Sequence, residues 1–187
     1  MWRVPTEIEA APFRHIILDD ACERPGELLE VLEEEAVEPY EGDIFRFEAT
    51  APEPRTGELR ELRDRFAEQL APGLSALTGK RVTRVDMRAY AYRVGHYLLP
   101  HTDHREGLGR VLAYAYYLPS PEPPTGGELE LYACTSAGGE LTAMTSAKII
   151  EPRSNRLVVF EVGDRSLHQV REVLSGLRIS LAGWFYA

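Results

Sequence analysis

Cysteine is scarce in this sequence: Cys22 and Cys134 stand alone among 187 residues, in no metal-binding pair spacing. That excludes a disulfide scaffold and a cysteine-based zinc site, and two free thiols in a cytoplasmic protein are the expectation. Long apolar runs are missing too. Nothing approaches the ~20 apolar residues of a membrane span, and the opening MWRVPTEIEA has no signal-peptide apolar core. Positive charge is outweighed, with 21 Lys+Arg against 30 Asp+Glu, a formal net charge of -9 and no basic stripe. A nucleic-acid backbone or an anionic membrane surface is therefore a poor partner. Internal repeats and low-complexity tracts are absent. What is present, 44% hydrophobic and 27% charged residues, is the balance of a globular domain able to bury a core unaided.

The first 80 residues read as helical. After Pro25, GELLEVLEEEAVE places Leu28, Leu29, Leu32 and Ala36 on one side of a predicted helix, with its glutamates in solvent. Residues 39–57, rich in Pro, Gly, Asp and Glu, read as a connecting loop. A second predicted helix carries Leu59, Leu62, Phe66 and Leu70 at helical spacing, with Thr56 as its N-cap. Pro72 is expected to kink or end it, and Gly79 to stop any continuation.

From Val82 the period changes to two, with Val85, Met87, Ala89 and Ala91 on one parity and Tyr90 and Tyr92 on the other. Further short runs follow, punctuated by Gly, Pro, Ser and Asn, giving about eight strands, the signature of a sandwich or barrel. The segment CTSAGGELTAMTSA, residues 134–147, reads as a loop or irregular hairpin. The predicted class is α+β, mainly β: one domain over 1–187. Its core over 82–187 is a jelly roll (a cupin-like double-stranded β-helix) supported by the helices of 1–80.

One short stretch, PHTDH at residues 100–104, concentrates metal-binding side chains. If it enters as a strand, His101 and Asp103 share a face while His104 points away. An imidazole and a carboxylate on one face lack one histidine of the 2-His-1-carboxylate triad that suits Fe(II). Of the other histidines, His15 precedes the barrel and His96 sits by Gly95 in a turn, near the pocket mouth or on the surface. His168 opens the late strand SLHQVREV, which a jelly roll can bring beside His101. Arg178, in the terminal strand LRISLAGWF, can present a planar fork to a carboxylate inside the barrel.

In order, the blocks YRVGHYLLPHTD, RVLAYAYYLP, GGELELY, IIEPRSNRLVVFE and SLHQVREVLSGLRISLAGWF, from Tyr92 to Phe185, resemble the Fe(II)/2-oxoglutarate-dependent dioxygenases of the prolyl-hydroxylase-like group. The resemblance implies His101, Asp103 and His168 as iron ligands and Arg178 as the partner of the distal carboxylate of 2-oxoglutarate. It also implies Tyr92 and Tyr117 as cosubstrate-pocket tyrosines; otherwise they are barrel-filling aromatics. Arg110 stands where such enzymes often carry an arginine of variable role. The implied cofactors are Fe(II), 2-oxoglutarate and O2, and the implied reaction hydroxylates an unactivated C–H bond with release of succinate and CO2. Because Asp103 is retained, hydroxylation is favoured over halogenation.

The implied substrate is a prolyl or similar side chain, in a peptide, a protein or a small amino-acid-like metabolite. Its pocket is expected from residues 39–57, the loop after Asp103 and the segment 133–146. Two rivals stand beside this reading. One is a non-catalytic jelly-roll module that binds a metal or ligand. The other is a zinc-dependent hydrolase, which needs a general base that no motif of the sequence identifies. Trp184 and Phe185 read as core filler. Nothing in the sequence sets the oligomeric state.

Overall fold

A computed structural model describes residues 1–137 and 140–187. The N-terminal part contains β1 (His15–Leu18), α1 (Glu27–Glu30), β2 (Glu38–Gly42), β3 (Phe45–Ala49) and α2 (Gly57–Thr78). Next come β4 (Arg84–Val85), β5 (Arg88–Tyr92), β6 (Tyr97–His101), β7 (Arg110–Tyr117), β8 (Thr125–Gly126) and β9 (Leu129–Ala137). The chain ends with β10 (Glu140–Ile150), β11 (Leu157–Glu161), β12 (His168–Val170), β13 (Val173–Ser175) and β14 (Arg178–Tyr186). Among the described residues, no helix is long and apolar enough to cross a membrane.

The strands join in the order β1-β11-β7-β14-β5-β3-β6-β12-β9-β10, with β2 added on β3 and β4 on β14. The sheet curls until β9 and β10 face β7 and β11. Leu129, Leu131 and Ile150 then pack between the layers against Ala113, Ala115, Tyr117, Val158 and Phe160. This is the expected jelly roll, with more and shorter strands than the sequence suggests. The segment 133–146 is an irregular hairpin, bulged at Leu141/Ala143 and Ser146/Lys148; Gly138 and Gly139 lie outside the described residues.

Helix α2 forms as its pattern requires. The Thr56 hydroxyl accepts the Leu59 N–H at its start, and Gly79 ends it at φ 71. Its apolar face, Leu59, Leu62, Phe66, Leu70 and Leu74, is buried against Tyr114 and Tyr116 of β7 and Leu181 and Phe185 of β14. Pro72 does not end the helix, which runs on to Thr78. Burial of Leu70 and Leu74 on either side of it outweighs the hydrogen bond Pro72 removes.

The N-terminal region is less helical than expected. GELLEVLEEEAVE makes one turn of helix, α1, and then a series of turns. Glu35 is not on a solvated face. It is 5% exposed, and its carboxylate accepts N–H bonds from Arg55 and Thr56 and the Thr56 hydroxyl at 2.7 Å. These charge-assisted bonds hold the start of α2 and draw Glu35 out of any helix of its own. Residues 39–57 are not a simple loop either, because β2 and β3 form a hairpin there, paired from Glu38↔Ala49 to Gly42↔Phe45.

The alternation along β7 prepares the site. Tyr114 and Tyr116 fill the helix side, while Ala113 and Ala115 face the barrel interior. Small side chains on the inner face leave room between the layers. On β14 the same parity turns Arg178, Ser180, Ala182 and Trp184 inward.

Candidate active site

His101 is the last residue of β6, and His168, the first of β12, is its direct partner across the antiparallel pair. The two rings lie 4.3 Å apart, centroid to centroid. Asp103 is not on the strand, which ends at His101; it reaches the same place from the connection to β7. Its carboxylate sits between the imidazoles, 3.7 Å from Nε2 of His101 and 3.5 Å from Nε2 of His168.

The donor set fits a divalent metal. One ligand atom from each of the three residues lies within 4.8 Å of the others. Nδ1 of His101 faces the Leu99 carbonyl and Nδ1 of His168 the Ser166 carbonyl, each at 2.9 Å. Such bonds put the proton on Nδ1 and leave the Nε2 lone pair for a metal. Burial above all lowers the His168 pKa from 6.5 to about 4, with Asp103 pulling it up and His101 pulling it down. The ring is thus neutral, as a ligand must be.

That shift carries a prediction. A histidine with a native pKa below its unfolded one binds more protons when unfolded, so acid favours the unfolded chain. Metal-free protein should lose stability as the pH falls from 6.5 towards about 4. His168→Leu should lose less over the same span in denaturant melts. Equal pH slopes for the two proteins would refute the assignment.

Arg178 opens β14 opposite Tyr92 of β5, and Ser180 pairs with Tyr117 of β7. Its guanidinium is held between two rings, 4.7 Å from the Tyr92 centroid and 4.9 Å from that of Tyr117. Arg178 is 3% exposed. One bond to the Ser180 hydroxyl at 3.3 Å satisfies it in part, and its Nε, like the buried Tyr117 hydroxyl, has no hydrogen-bond partner. Burial pushes the Tyr92 hydroxyl well above its usual range, so it is a neutral group. A buried cation with unspent donors beside it suits the carboxylate of a small dianion.

These groups open onto one cavity of about 290 Å³, lined by His101, Asp103, His168 and Arg178. Apart from Ser180, its remaining wall is apolar or aromatic, with Phe45 and Phe47 from β3, Tyr90, Leu98, Phe160 and Trp184. Phe47 contacts the rings of Tyr40, Phe45, Tyr90 and Tyr92, which fixes the hairpin against the cavity.

Residues 39–57 therefore do contribute, as a hairpin. The loop after Asp103 and the described residues of 133–146 do not line the cavity. His104 pairs with Asp164 at 3.2 Å on the surface, away from the His101–Asp103–His168 cluster. His96 is buried at 9% exposure, not at the pocket mouth. Trp184 lines the cavity instead of filling the core, and its inward parity with Arg178 on β14 was a usable signal.

Comparison with known proteins agrees with this geometry. The chain is 31% identical to a prolyl 3-hydroxylase of Xenopus laevis, over 96% of this chain and 36% of that protein. It is 32% identical to the Mus musculus prolyl 3-hydroxylase, over 96% of this chain and 34% of that one. It thus spans about a third of the length of these curated relatives. A Pseudomonas putida prolyl-4-hydroxylase has the same fold at TM-score 0.72 and 19% identity, covering 92% of this chain and 91% of that one. A Trichoplax adhaerens prolyl hydroxylase, solved with a hypoxia inducible factor peptide fragment, superposes at TM-score 0.67 and 17% identity, covering 92% and 83%. The 2OG-Fe(II) oxygenase superfamily profile matches residues 87–186, from just ahead of β5 to the end of β14. That span contains the His-Asp-His cluster and the buried arginine, and the chain belongs to the 2OG-Fe(II) oxygenase superfamily.

Proposed function

We propose that this chain is an Fe(II)- and 2-oxoglutarate-dependent dioxygenase that hydroxylates a prolyl residue within a peptide or protein. One observation carries the reading: the His101–Asp103–His168 cluster and the buried, partly satisfied Arg178 share a single cavity. In this reading His101, Asp103 and His168 hold the metal, and Arg178, Tyr92 and Tyr117 seat the distal carboxylate of 2-oxoglutarate. With 2-oxoglutarate and O2 the iron would supply C–H hydroxylation, one oxygen atom going to the substrate and the other to succinate, with release of CO2. The protein's part is geometric. The bidentate fork of Arg178 fixes the cosubstrate's register, and the aromatic wall excludes water and orients the C–H bond.

The cavity chemistry supports a residue in a chain over a free amino acid. Its charged lining groups, Asp103 and Arg178, and its two imidazoles, His101 and His168, all serve the metal or cosubstrate in this reading. A free zwitterion would bring an ammonium and a carboxylate without partners, costing several kcal/mol per buried ion. A prolyl ring with amide neighbours brings no charge. The relatives named prolyl 3-hydroxylases point the same way. A hydrolytic reading lacks a general base, since among the described residues the lining offers no carboxylate beyond Asp103 and no histidine beyond His101 and His168. A non-catalytic module has no use for Arg178 in that place. Two free cysteines support a cytoplasmic setting.

The test is mass spectrometry for a gain of one oxygen, with succinate measured in parallel, on blocked proline-containing peptides and on free proline. Hydroxylation of peptides alone is the expected result. Oxidation of free proline alone would overturn the substrate class. Neither succinate nor an Fe(II)–2-oxoglutarate charge-transfer band would overturn the reaction class.

A further inference from the structure

His101 and His168 are fixed by the ladder bonds of β6 and β12, whereas Asp103 lies past the strand end on an irregular connection. Something else must hold it in register. Among the described residues, a side chain that reaches its backbone is Arg110, whose Nη1 donates to the Asp103 carbonyl at 3.4 Å. That bond is long, and it orients a loop only if the guanidinium is itself immobile.

Arg110 is indeed held. Its guanidinium stacks on the Trp184 ring, 3.4 Å from the centroid. Tyr186 is its partner across β7 and β14. The Tyr186 hydroxyl donates to Oδ2 of Asp86 at 2.7 Å, while Oδ1 of the same carboxylate accepts the backbone N–H of Trp184 at 2.5 Å. Asp86 sits in the break between β4 and β5, and its N–H donates back to the Trp184 carbonyl at 3.1 Å. This close approach needs Gly183, because a Cβ there would collide with the carboxylate and carbonyl of Asp86. Burial raises the Tyr186 hydroxyl, Asp86 adds to the rise and Arg110 opposes it, as expected of a neutral donor between an anion and a cation.

We infer that Asp86, Tyr186 and Trp184 form a latch that fixes Arg110, and that Arg110 is a positioning residue for Asp103. The inference rests on the metal role proposed for Asp103. It gives Arg110 a task directed at the loop behind the metal ligand, with no contact to cosubstrate required.

The experiment titrates Co(II), whose d–d absorption reports ligand number and geometry, into metal-free wild type, Arg110→Ala, Tyr186→Phe and the double variant. Thermal midpoints are measured alongside. Arg110→Ala should weaken Co(II) binding by about 10–100-fold, the usual cost of losing outer support of a metal ligand, and alter the spectrum. Tyr186→Phe should weaken it less, in the same direction. The double variant should be no worse than Arg110→Ala alone, because Tyr186 acts through Arg110.

Wild-type protein that binds no Co(II) overturns the metal reading and this inference with it. Wild-type affinity and spectrum in a folded Arg110→Ala overturn the inference alone. Fully additive losses in the double variant break the latch. If Arg110→Ala does not fold, Tyr186→Phe carries the test, because it leaves the Asp86–Trp184 bond in place. An unchanged spectrum there also overturns the inference.

Discussion

Asp103→Ala should leave a folded protein that no longer turns over 2-oxoglutarate. The loss should exceed the about 10–100-fold that outer-shell changes cost, because a ligand itself is removed. The carboxylate lies 3.7 Å and 3.5 Å from the two imidazole Nε2 atoms, and among the described residues it is the only anion in the cavity lining. Without it two imidazoles remain, which hold a divalent cation weakly and fix no facial geometry. The fold should survive. Asp103 sits on a connection outside the ladder, and among the described residues its carboxylate pairs with His101 and His168 and supports no strand or helix end. Its removal also lifts the one influence from a neighbouring carboxylate that raises the His168 pKa, so that ring stays neutral. Succinate release and Fe(II) binding at pH 7 are the measurements, with the thermal midpoint as control. Turnover at the wild-type rate would mean that the triad has been misassigned. Asp103→Glu should fail as well, since one more methylene displaces the oxygens from between the two rings.

The sequence revealed the parts that rest on local pattern and hid those that rest on tertiary recruitment. Helix α2 was legible because its apolar spacing, its Thr56 cap and its Gly79 stop agree. The helix expected after Pro25 was misread because Glu35 is drawn away to hold the start of α2, a contact with no local signal. The β2–β3 hairpin was missed because its Pro, Gly and Asp content outweighed the alternation of Phe45, Phe47 and Ala49. In the site, His101 and Asp103 come together for a reason other than a shared strand face. Strand alternation does not apply at Asp103, since β6 has already ended. What brings the carboxylate round is the connection and the arginine behind it. His168 and Arg178 were readable only through ordered family blocks, because strand periodicity does not say which distant strands meet. Trp184 was within reach of parity alone, counted along β14 from Arg178.

Arg178→Met should make the metal-free protein no less stable while removing its grip on 2-oxoglutarate. Two consequences of one buried charge are separated by this substitution. In the free protein the guanidinium is 3% exposed, has one bond to the Ser180 hydroxyl and leaves Nε unpartnered between the Tyr92 and Tyr117 rings. Desolvating a cation without a counter-ion is unfavourable, and exchanging such a group for an apolar one of similar length is often neutral or stabilising. Methionine fits the slot and keeps contact with both rings. The thermal midpoint should therefore hold or rise. Binding is the opposite case. Removing one partner of a buried charge pair costs about 2–5 kcal/mol, which is roughly 30- to 4,000-fold in Kd. The wild-type protein should gain thermal stability when 2-oxoglutarate is added with a divalent metal, and Arg178→Met should gain almost none at the same concentration. Arg178→Lys separates charge from shape: it keeps the cation, loses the planar fork, and should fall between the two. If the midpoint of Arg178→Met dropped by many degrees with ligand stabilisation intact, Arg178 would be a structural residue, and the carboxylate of 2-oxoglutarate would have to be bound elsewhere.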